Sequence, residues 1–240
     1  MMGMPITVEI ADNTATAAAI DSVFDYFKYI DEKFSTYKDT SEISHINQNV
    51  LQPVDYSDDM KTVFALSEET KKLTNGFFDI QHKGNYDTSG LVKGWAIHNA
   101  AQLLKDQGFK NFYVEAGGDI EVYGKNSEGK AWRVGIRNPF NREENVKVIF
   151  LGHNEGVATS GTYIRGQHVY NPKNDQPITD IVSLTVVGPD IYEADRFATA
   201  AFAMGKEGIM FIEGLKGFEG YMIDAKGVAT LTSGFDTYSR

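Results

Sequence analysis

The sequence lacks cysteine, any run of apolar residues long enough to span a membrane, and any cluster of basic residues. Without cysteine, the chain cannot form disulfides, thiolate metal sites or a thiol nucleophile. Its net charge is -10, and nucleic acid is not expected as a partner, because binding to a phosphate backbone depends on clustered Lys and Arg. An anionic ligand must therefore be held by a local group of donors or by a metal ion.

The sequence also lacks internal repeats, low-complexity tracts and a clear linker. Its 240 residues are expected to form one domain, residues 1–240, although two closely packed lobes fit the length as well. The first residues show neither the basic nor the apolar part of a signal peptide, which predicts a cytoplasmic protein. A trimmed form of an exported or membrane-associated protein would have the same sequence.

Hydrophobic spacing predicts helices mainly in the first half of the chain and strands mainly in the second, which is typical of an α+β fold. The predicted helices cover residues 12–34, 58–75, 87–108, 192–205 and 207–215, with a further short helix capped by Ser41. The predicted strands cover residues 6–10, 77–80, 111–115, 120–123, 131–136, 146–151, 167–170, 181–187, 218–223 and 228–231.

The segment 192–205 is expected to be a buried helix, because it consists mainly of Ala, Phe and Met and ends at a glycine. On a helix, Asp195 and Thr199 are four residues apart and share a face. A buried carboxylate is costly unless it is paired or bound to a metal, and a carboxylate beside a hydroxyl suits a hard cation such as Mg²⁺. The alternative is that Asp195 caps its helix or pairs with Arg196.

Lys93 is predicted to lie in the first turn of helix 87–108, at the end where the helix dipole disfavours a cation. This position is explained if an anion binds there, held by backbone N–H groups together with the ammonium. A solvent-facing lysine is the alternative. The pattern GxxxxGK[ST] is absent, so the sequence does not support a P-loop NTPase.

Two further segments carry candidate chemistry. The Gly-Gly-Asp turn at residues 117–119 requires positive φ or a close backbone approach, as in a hairpin. Residues 159–172 hold hydroxyls, Arg165 and His168, which suits acid–base catalysis, although a histidine in a strand is more often structural. No GxSxG pattern surrounds Ser160, so an α/β-hydrolase is not supported.

Together these features indicate a phosphate-bearing ligand, a hard metal and aromatic surfaces that stack a ring system. Six motifs, in order along the chain, resemble those of the ApbE family of flavin transferases, which move FMN from FAD onto a protein threonine. They are Met-Gly-Met-Pro at 2–5, Phe-Ser-Thr-Tyr at 34–37 with Ser-Glu-Ile-Ser at 41–44 and Asn47, Ser-Gly-Leu-Val-Lys-Gly-Trp-Ala at 89–96, Gly-Gly-Asp at 117–119, Ser-Gly-Thr-Tyr at 160–163 with His168 and Asn171-Pro172, and Ala-Asp-Arg-Phe-Ala-Thr at 194–199.

The sequence departs from the family pattern at four places. Met4 stands where threonine is usual, Asn171 where aspartate is common, and Arg196 where a small residue is common. The segment 80–86 is only seven residues long, whereas many family members carry a longer insertion there. The chain therefore resembles a subgroup with a short insertion.

The resemblance implies an α+β flavin transferase fold, in which helices flank a mixed or antiparallel sheet. It implies FAD and Mg²⁺ as ligands and an acceptor protein that presents a threonine or serine. The reaction passes FMN to the acceptor hydroxyl as a phosphoester and releases AMP. The implied metal ligands are Asp195, Thr199 and a backbone carbonyl near Val92. Lys93 would help to hold the pyrophosphate, and His168 would deprotonate the acceptor, so His168 and Asp195 are the implied catalytic residues.

The resemblance also implies a set of FAD-binding residues, namely Met4, Tyr37, Ser41, Lys93, Gly117, Gly118, Asp119, Ser160, Gly161, Tyr163 and Arg165. Of these, Met4, Tyr37 and Tyr163 are candidates for packing against the isoalloxazine or the adenine ring. Two other functions stay open. One is an FAD pyrophosphatase that releases FMN and AMP, and the other is a non-catalytic flavin-binding or storage protein.

Overall fold

The computed structural model describes residues 3–141, 143–162 and 169–239. The α-helices in these ranges are α1 (Ala17–Phe34), α2 (Glu42–Asn47), α3 (Asp58–Leu73), α4 (Ser89–Asp106), α5 (Ile191–Ala203) and α6 (Gly208–Glu213). The strands are β1 (Ile6–Ile10), β2 (Gln81–His82), β3 (Asn85–Tyr86), β4 (Phe112–Ala116), β5 (Asp119–Tyr123), β6 (Trp132–Arg137), β7 (Asn145–Leu151), β8 (Glu155–Gly161), β9 (Tyr170–Asn171), β10 (Gln176–Pro177), β11 (Ile181–Gly188), β12 (Glu219–Asp224) and β13 (Ala229–Leu231). Short 3-10 segments cover Pro53–Asp55, Gly205–Glu207 and Phe235–Tyr238.

The main sheet of the described residues has seven strands in the order β1-β4-β5-β8-β11-β12-β13, and every neighbouring pair is antiparallel. Three separate hairpins pair β2 with β3, β6 with β7, and β9 with β10. An antiparallel sheet flanked by helices confirms the predicted α+β fold.

The two faces of the main sheet pack into two separate groups of buried side chains, because alternate residues of a strand point to opposite faces. On the helical face, Phe112 and Leu184 belong to a core built with α1, α4 and α5. On the opposite face, Val122 and Val187 belong to a second core built with the β6–β7 hairpin and Phe235. The helical face is the one that carries the predicted site residues of α4 and α5.

Helix α5 lies within the helical layer, in contact with α4, β8 and β11. Asp190 caps the helix, because its carboxylate accepts the Glu193 N–H at 2.8 Å. The helix can lie directly on β8 because Gly156 has no side chain there. A β-carbon at Gly156 would lie 2.1 Å from the Ile191 nitrogen. The small residues of α5 and the strand beneath it therefore allow a close contact that larger side chains would prevent.

The start of α1 differs from the predicted helix 12–34, because the cap is Thr16 and not a residue at 12 or 13. Asp12 does not cap α1 and instead binds backbone groups of another segment. Its carboxylate accepts the backbone N–H groups of Lys110 and Asn111, each at 2.8 Å, and so ties the end of β1 to the start of β4. Among the described residues, no helix combines the length and the apolar character that crossing a membrane requires.

One predicted strand does not form, and one strand of the main sheet was not predicted. Residues 77–80 form no strand, although Phe78 and Ile80 are buried, because they fill the core from an irregular segment. No strand was predicted at β8, which occupies the centre of the main sheet between β5 and β11. Its residues are mostly small or polar, since α5 packs directly against it and leaves no room for large side chains.

Candidate functional site

A cavity of about 720 Å³ is bordered by the start of α4, the second half of α5, the end of β8 and the two hairpins β2–β3 and β9–β10. Several predicted site residues line it, namely Lys93, Gly117, Ser160, Gly161, Asp195 and Thr199. The volume is in the range of pockets that enclose most of a small organic ligand. The structure therefore brings together residues that are up to about a hundred positions apart in the sequence.

Asp195 reaches this cavity because α4 and α5 approach each other more closely than a side chain would permit. A β-carbon at Gly94 would lie 2.6 Å from Asp195 Cβ and 2.7 Å from the Ile191 carbonyl oxygen. The Gly94 N–H donates to Asp195 Oδ2 at 2.8 Å. Thr199 lies against Gly90 one turn further along, where a β-carbon would be 3.0 Å from its methyl group. The face shared by Asp195 and Thr199 is thus turned toward the first turns of α4.

Three charged side chains from three different elements meet beside the cavity. The Lys93 ammonium lies 2.5 Å from Asp119 Oδ2 and 3.3 Å from Asp195 Oδ1. Both aspartate side chains are only 2% exposed, and the Lys93 side chain is 20% exposed. Because α4 begins at Ser89, Lys93 is in the second turn and not the first. The alternative of a solvent-facing lysine is therefore wrong.

Asp119 is placed by the hairpin turn that joins β4 to β5, which confirms the predicted turn. Gly117 and Gly118 have φ angles of 63° and 99°, a region that favours glycine. Asp119 Oδ1 accepts the Thr159 N–H at 2.9 Å. No hydrogen bond of acceptable geometry reaches Oδ2 within the described ranges, so this buried oxygen depends on the ion pair with Lys93.

The electrostatic balance of this cluster is unfavourable for two ionised carboxylates. Burial raises the pKa of Asp195 to about 7, and the neighbouring Asp119 raises it as well. The Lys93 ammonium and the Gly94 N–H act in the opposite direction. Two buried carboxylates share one ammonium, so the cluster carries one uncompensated negative charge when both are ionised. Such a site favours an additional cation or a proton.

The chemistry of the donors fits a hard divalent cation. Asp195 and Thr199, four residues apart on α5, both line the cavity and supply a carboxylate and a hydroxyl. Mg²⁺ is commonly held by one or two carboxylates and keeps water or phosphate oxygens as its other ligands. In the described part of the chain, no three His, Asp or Glu side chains cluster in a way that could hold a metal ion. Val92 is buried in α4, and the role of its carbonyl stays a prediction.

Both alternatives for Asp195 are wrong, and the structure gives the reason for each. The cap of α5 is Asp190 and not Asp195. Arg196 pairs with other residues and not with Asp195. Its guanidinium contacts the Glu193 carboxylate at 2.7 Å and donates to the Thr70 hydroxyl at 3.1 Å. Asp195 therefore faces Lys93 and the cavity with no contact to the arginine beside it.

Three other predicted FAD-binding residues, Met4, Tyr37 and Ser41, are not among the residues that line the cavity. Met4 packs on the turn, because a β-carbon at Gly117 would lie 2.8 Å from its sulfur. Tyr37 is 92% exposed and does not line the cavity. Ser41 caps α2 as predicted, accepting the Ser44 N–H at 3.1 Å and donating to a carbonyl at 2.7 Å. FAD binding by Tyr37 and Ser41 stays a prediction.

Three predicted residues lie outside the described residues, namely Tyr163, Arg165 and His168. They belong to the segment that connects β8 to β9. Of the described residues that flank this segment, Gly161 and Val169 line the cavity. The roles of the three residues stay predictions.

A contact between the two hairpins at the cavity was not predicted from the sequence. His82 Nε2 lies 2.6 Å from Asp175 Oδ1, and the His82 ring stacks on the Tyr170 ring with centroids 4.9 Å apart and planes inclined by 17°. All three residues line the cavity. His82 and Asp175 are 93 positions apart, so no local sequence pattern predicts their contact. The one available signal was that segment 80–86 is shorter than in many family members.

The chain was compared with known families, proteins and structures. A model of the ApbE family matches residues 2–84 and 81–222. The FAD:protein FMN transferase of Klebsiella pneumoniae is 35% identical over 63% of this chain and 45% of its own length. The protein of the same name from Vibrio cholerae is 27% identical over 82% of this chain and 76% of its own length. The first alignment thus spans less than half of its relative, and the second about three quarters.

Solved structures show the same fold. The ApbE protein of Thermotoga maritima has a TM-score of 0.88 at 21% identity and is matched over 100% of this chain and 97% of its own. The flavin transferase ApbE of Vibrio cholerae has a TM-score of 0.85 at 24% identity, over 99% of this chain and 96% of its own. Because the family model covers most of the sequence and the fold agrees throughout, the chain belongs to the ApbE family.

Proposed function

We propose that the protein transfers FMN from FAD to a threonine hydroxyl of an acceptor protein in a Mg²⁺-dependent reaction. The observation that carries this proposal is the buried cluster of Lys93, Asp119 and Asp195 at the wall of a 720 Å³ cavity. It occurs in a chain whose relatives include proteins named FAD:protein FMN transferase. A cluster with one excess negative charge suits a metal ion that accompanies a diphosphate.

FAD is the proposed occupant of the cavity. Its pyrophosphate is assigned to the start of α4, where backbone N–H groups and the Lys93 ammonium supply donors. Phe77, Phe78 and Tyr170 offer flat surfaces in the walls for the ring systems. We also propose that the chain acts as one domain, because a single core joins buried residues from α1 through β12.

Asp195 Oδ1, the Thr199 hydroxyl and a carbonyl near Val92 are the proposed ligands of Mg²⁺. When bound, the ion supplies positive charge that neutralises the charge developing on the phosphate oxygens. The protein contributes a fixed geometry, because Asp195 Oδ2 is held by the Gly94 N–H and cannot rotate away without losing that bond. The position of α5 against α4 thus sets where the metal ligands point.

In the proposed reaction, the acceptor threonine oxygen forms a bond to the phosphorus of the FMN half. The bond from that phosphorus to the oxygen of AMP breaks, and AMP leaves. The proton of the threonine hydroxyl has to be removed, and His168 is the proposed base. Val169, the next residue in the sequence, lines the cavity, which supports this assignment.

The test is to incubate the purified protein with FAD, Mg²⁺ and a candidate acceptor peptide, and to weigh the peptide by mass spectrometry. The expected result is a peptide heavier by one phosphoester-linked FMN, with one AMP released for each peptide modified. A peptide in which valine replaces the threonine is the control and should keep its mass. AMP release without an acceptor would indicate a pyrophosphatase, and bound FAD that yields no AMP with any acceptor would indicate a storage protein.

A further inference from the structure

The Lys93 ammonium lies beside Asp195 Oδ1, in the place where the proposed metal ion would bind. Asp195 Oδ2 accepts the Gly94 N–H, which leaves Oδ1 as the proposed metal ligand, and Lys93 Nζ lies 3.3 Å from Oδ1. The ammonium is also 2.5 Å from Asp119 Oδ2. The lysine thus has one short contact to a residue outside the proposed metal ligands and one longer contact to a proposed ligand.

A dication at Asp195 Oδ1 and an ammonium at this distance would repel each other strongly, because both would lie in a nearly buried site with little solvent screening. Asp119 offers the ammonium a second anchor that is not a proposed metal ligand. Its Oδ1 is fixed by the Thr159 N–H, and its Oδ2 has no other hydrogen bond within the described ranges. The ammonium can therefore give up Asp195 and keep Asp119.

The position of Lys93 on α4 makes this exchange easier. It lies in the second turn, near the positive end of the helix dipole, where a cation is held less firmly than it would be at the other end. Lys105 provides a contrast, because it is in the last turn of the same helix and pairs with the buried Glu121 at 3.3 Å. The two lysines are twelve residues, or about 18 Å, apart along the helix.

We propose that the Lys93 ammonium neutralises Asp195 until a divalent cation binds, and that Asp119 retains the ammonium at the cavity wall afterwards. The inference rests on the proposed function, since it takes Asp195 as a metal ligand. It adds that this protein binds its metal in competition with its own lysine. Removing the lysine should therefore strengthen metal binding, although it should weaken catalysis.

The test measures metal binding alone, without FAD. Free Mn²⁺, an oxygen-seeking substitute for Mg²⁺, is followed by electron paramagnetic resonance during titration of the wild type and the variants Lys93→Met, Lys105→Met and Asp195→Asn. All four proteins are titrated at the same pH and ionic strength, so that differences in affinity report only the substitutions. We expect Lys93→Met to bind Mn²⁺ at least about tenfold more tightly than the wild type. Lys105→Met should match the wild type, and Asp195→Asn should lose the site.

The outcomes separate the two proposals. If Asp195→Asn loses binding but folded Lys93→Met binds no more tightly than the wild type, the competition is refuted and the metal site stands. If Asp195→Asn binds Mn²⁺ as the wild type does, the metal assignment of the proposed function is refuted instead, and the competition with it.

A second measurement uses the unaltered protein, in case Lys93→Met does not fold. The rate at which acetic anhydride modifies Lys93 is measured by peptide mass spectrometry with and without Mn²⁺. Metal binding should increase this rate several-fold, because the amine gives up its contact with Asp195 and keeps only the contact with Asp119 at the cavity wall. The rate at Lys105 should stay the same. An unchanged rate at Lys93 under saturating Mn²⁺ would refute the exchange.

Discussion

Replacing Gly94 with alanine is expected to destabilise the protein and slow the reaction, although the same change stabilises most helix interiors by about 0.5–1 kcal/mol. The new β-carbon would lie 2.6 Å from Asp195 Cβ and 2.7 Å from the Ile191 carbonyl oxygen. An ordinary contact needs 3.4 Å, so α4 and α5 must separate by about 0.8 Å. Such overpacking costs roughly 1–3 kcal/mol, and after the gain in helix propensity the net loss is at most about 2.5 kcal/mol and centred on about 1 kcal/mol.

The same displacement should reduce catalysis more than stability. It stretches the bond from the Gly94 N–H to Asp195 Oδ2 and moves the proposed metal ligand relative to Lys93. A misplacement of about 1 Å in a catalytic group can cost on the order of 10²-fold in rate. We therefore expect a loss of about that size in single-turnover FMN transfer, measured at saturating FAD and Mg²⁺.

Urea denaturation and the single-turnover assay together check this reasoning. Gly152→Ala is the control, because a β-carbon at that position meets no atom within 4 Å and should change neither quantity. A Gly94→Ala variant with wild-type stability and rate would show that α4 and α5 tolerate a wider gap than the structure indicates. A loss of stability without a loss of rate would show that the position of Asp195 is not critical.

Three further substitutions test the site and its surroundings. Asp195→Ala should lose roughly 10³-fold or more in rate, while calorimetry should still detect FAD binding. Circular dichroism must first show that the variant is folded. A near-normal rate in the folded variant would contradict the role of Asp195 as a metal ligand. His168→Ala should lose roughly 10²- to 10⁴-fold in rate and also the fall in rate toward acid pH, and a pH–rate profile that keeps this fall would exclude it as the base. Burial lowers the pKa of His98, but the hydrogen bond and charge of Glu121 outweigh burial and raise the pKa overall. The protonated histidine therefore stabilises the fold fully below about pH 6.5, and this contribution is lost as the pH rises through the folded pKa. In urea denaturation, His98→Gln should cost stability near pH 6 and much less near pH 9, and an equal cost at both pH values would mean that His98 only packs.

The sequence predicted those parts of the fold that depend on local periodicity and local chemistry. The apolar stripes of α1 and α3, the cap at Ser41 and the turn at residues 117–119 each follow from residues close together in the chain. The shared face of Asp195 and Thr199 follows from helix geometry alone. The family resemblance then supplied what spacing could not, namely that these separate segments belong to one site.

The features that the sequence did not predict depend on contacts between distant segments. β8 carries few of the large β-branched or aromatic residues that mark a strand, because the close approach of α5 selects small residues there. The meeting of Lys93 with Asp119 and Asp195 joins a helix, a hairpin and a second helix. No pattern within any one of these segments indicates that the lysine is held between two carboxylates.

The second core, on the face of the sheet that carries the β6–β7 hairpin, has a consequence for how the protein can vary. Trp132, Ile149 and Phe235 are buried there without contributing to the cavity. Changes in their size alter the free energy of unfolding, while α4 and α5 keep their spacing on the opposite side. The melting temperature can thus be changed through side chains on one face of the sheet, while the opposite face keeps the geometry of the cavity. Stabilising substitutions are therefore best sought in the β6–β7 hairpin, with the glycines of α4 left unchanged.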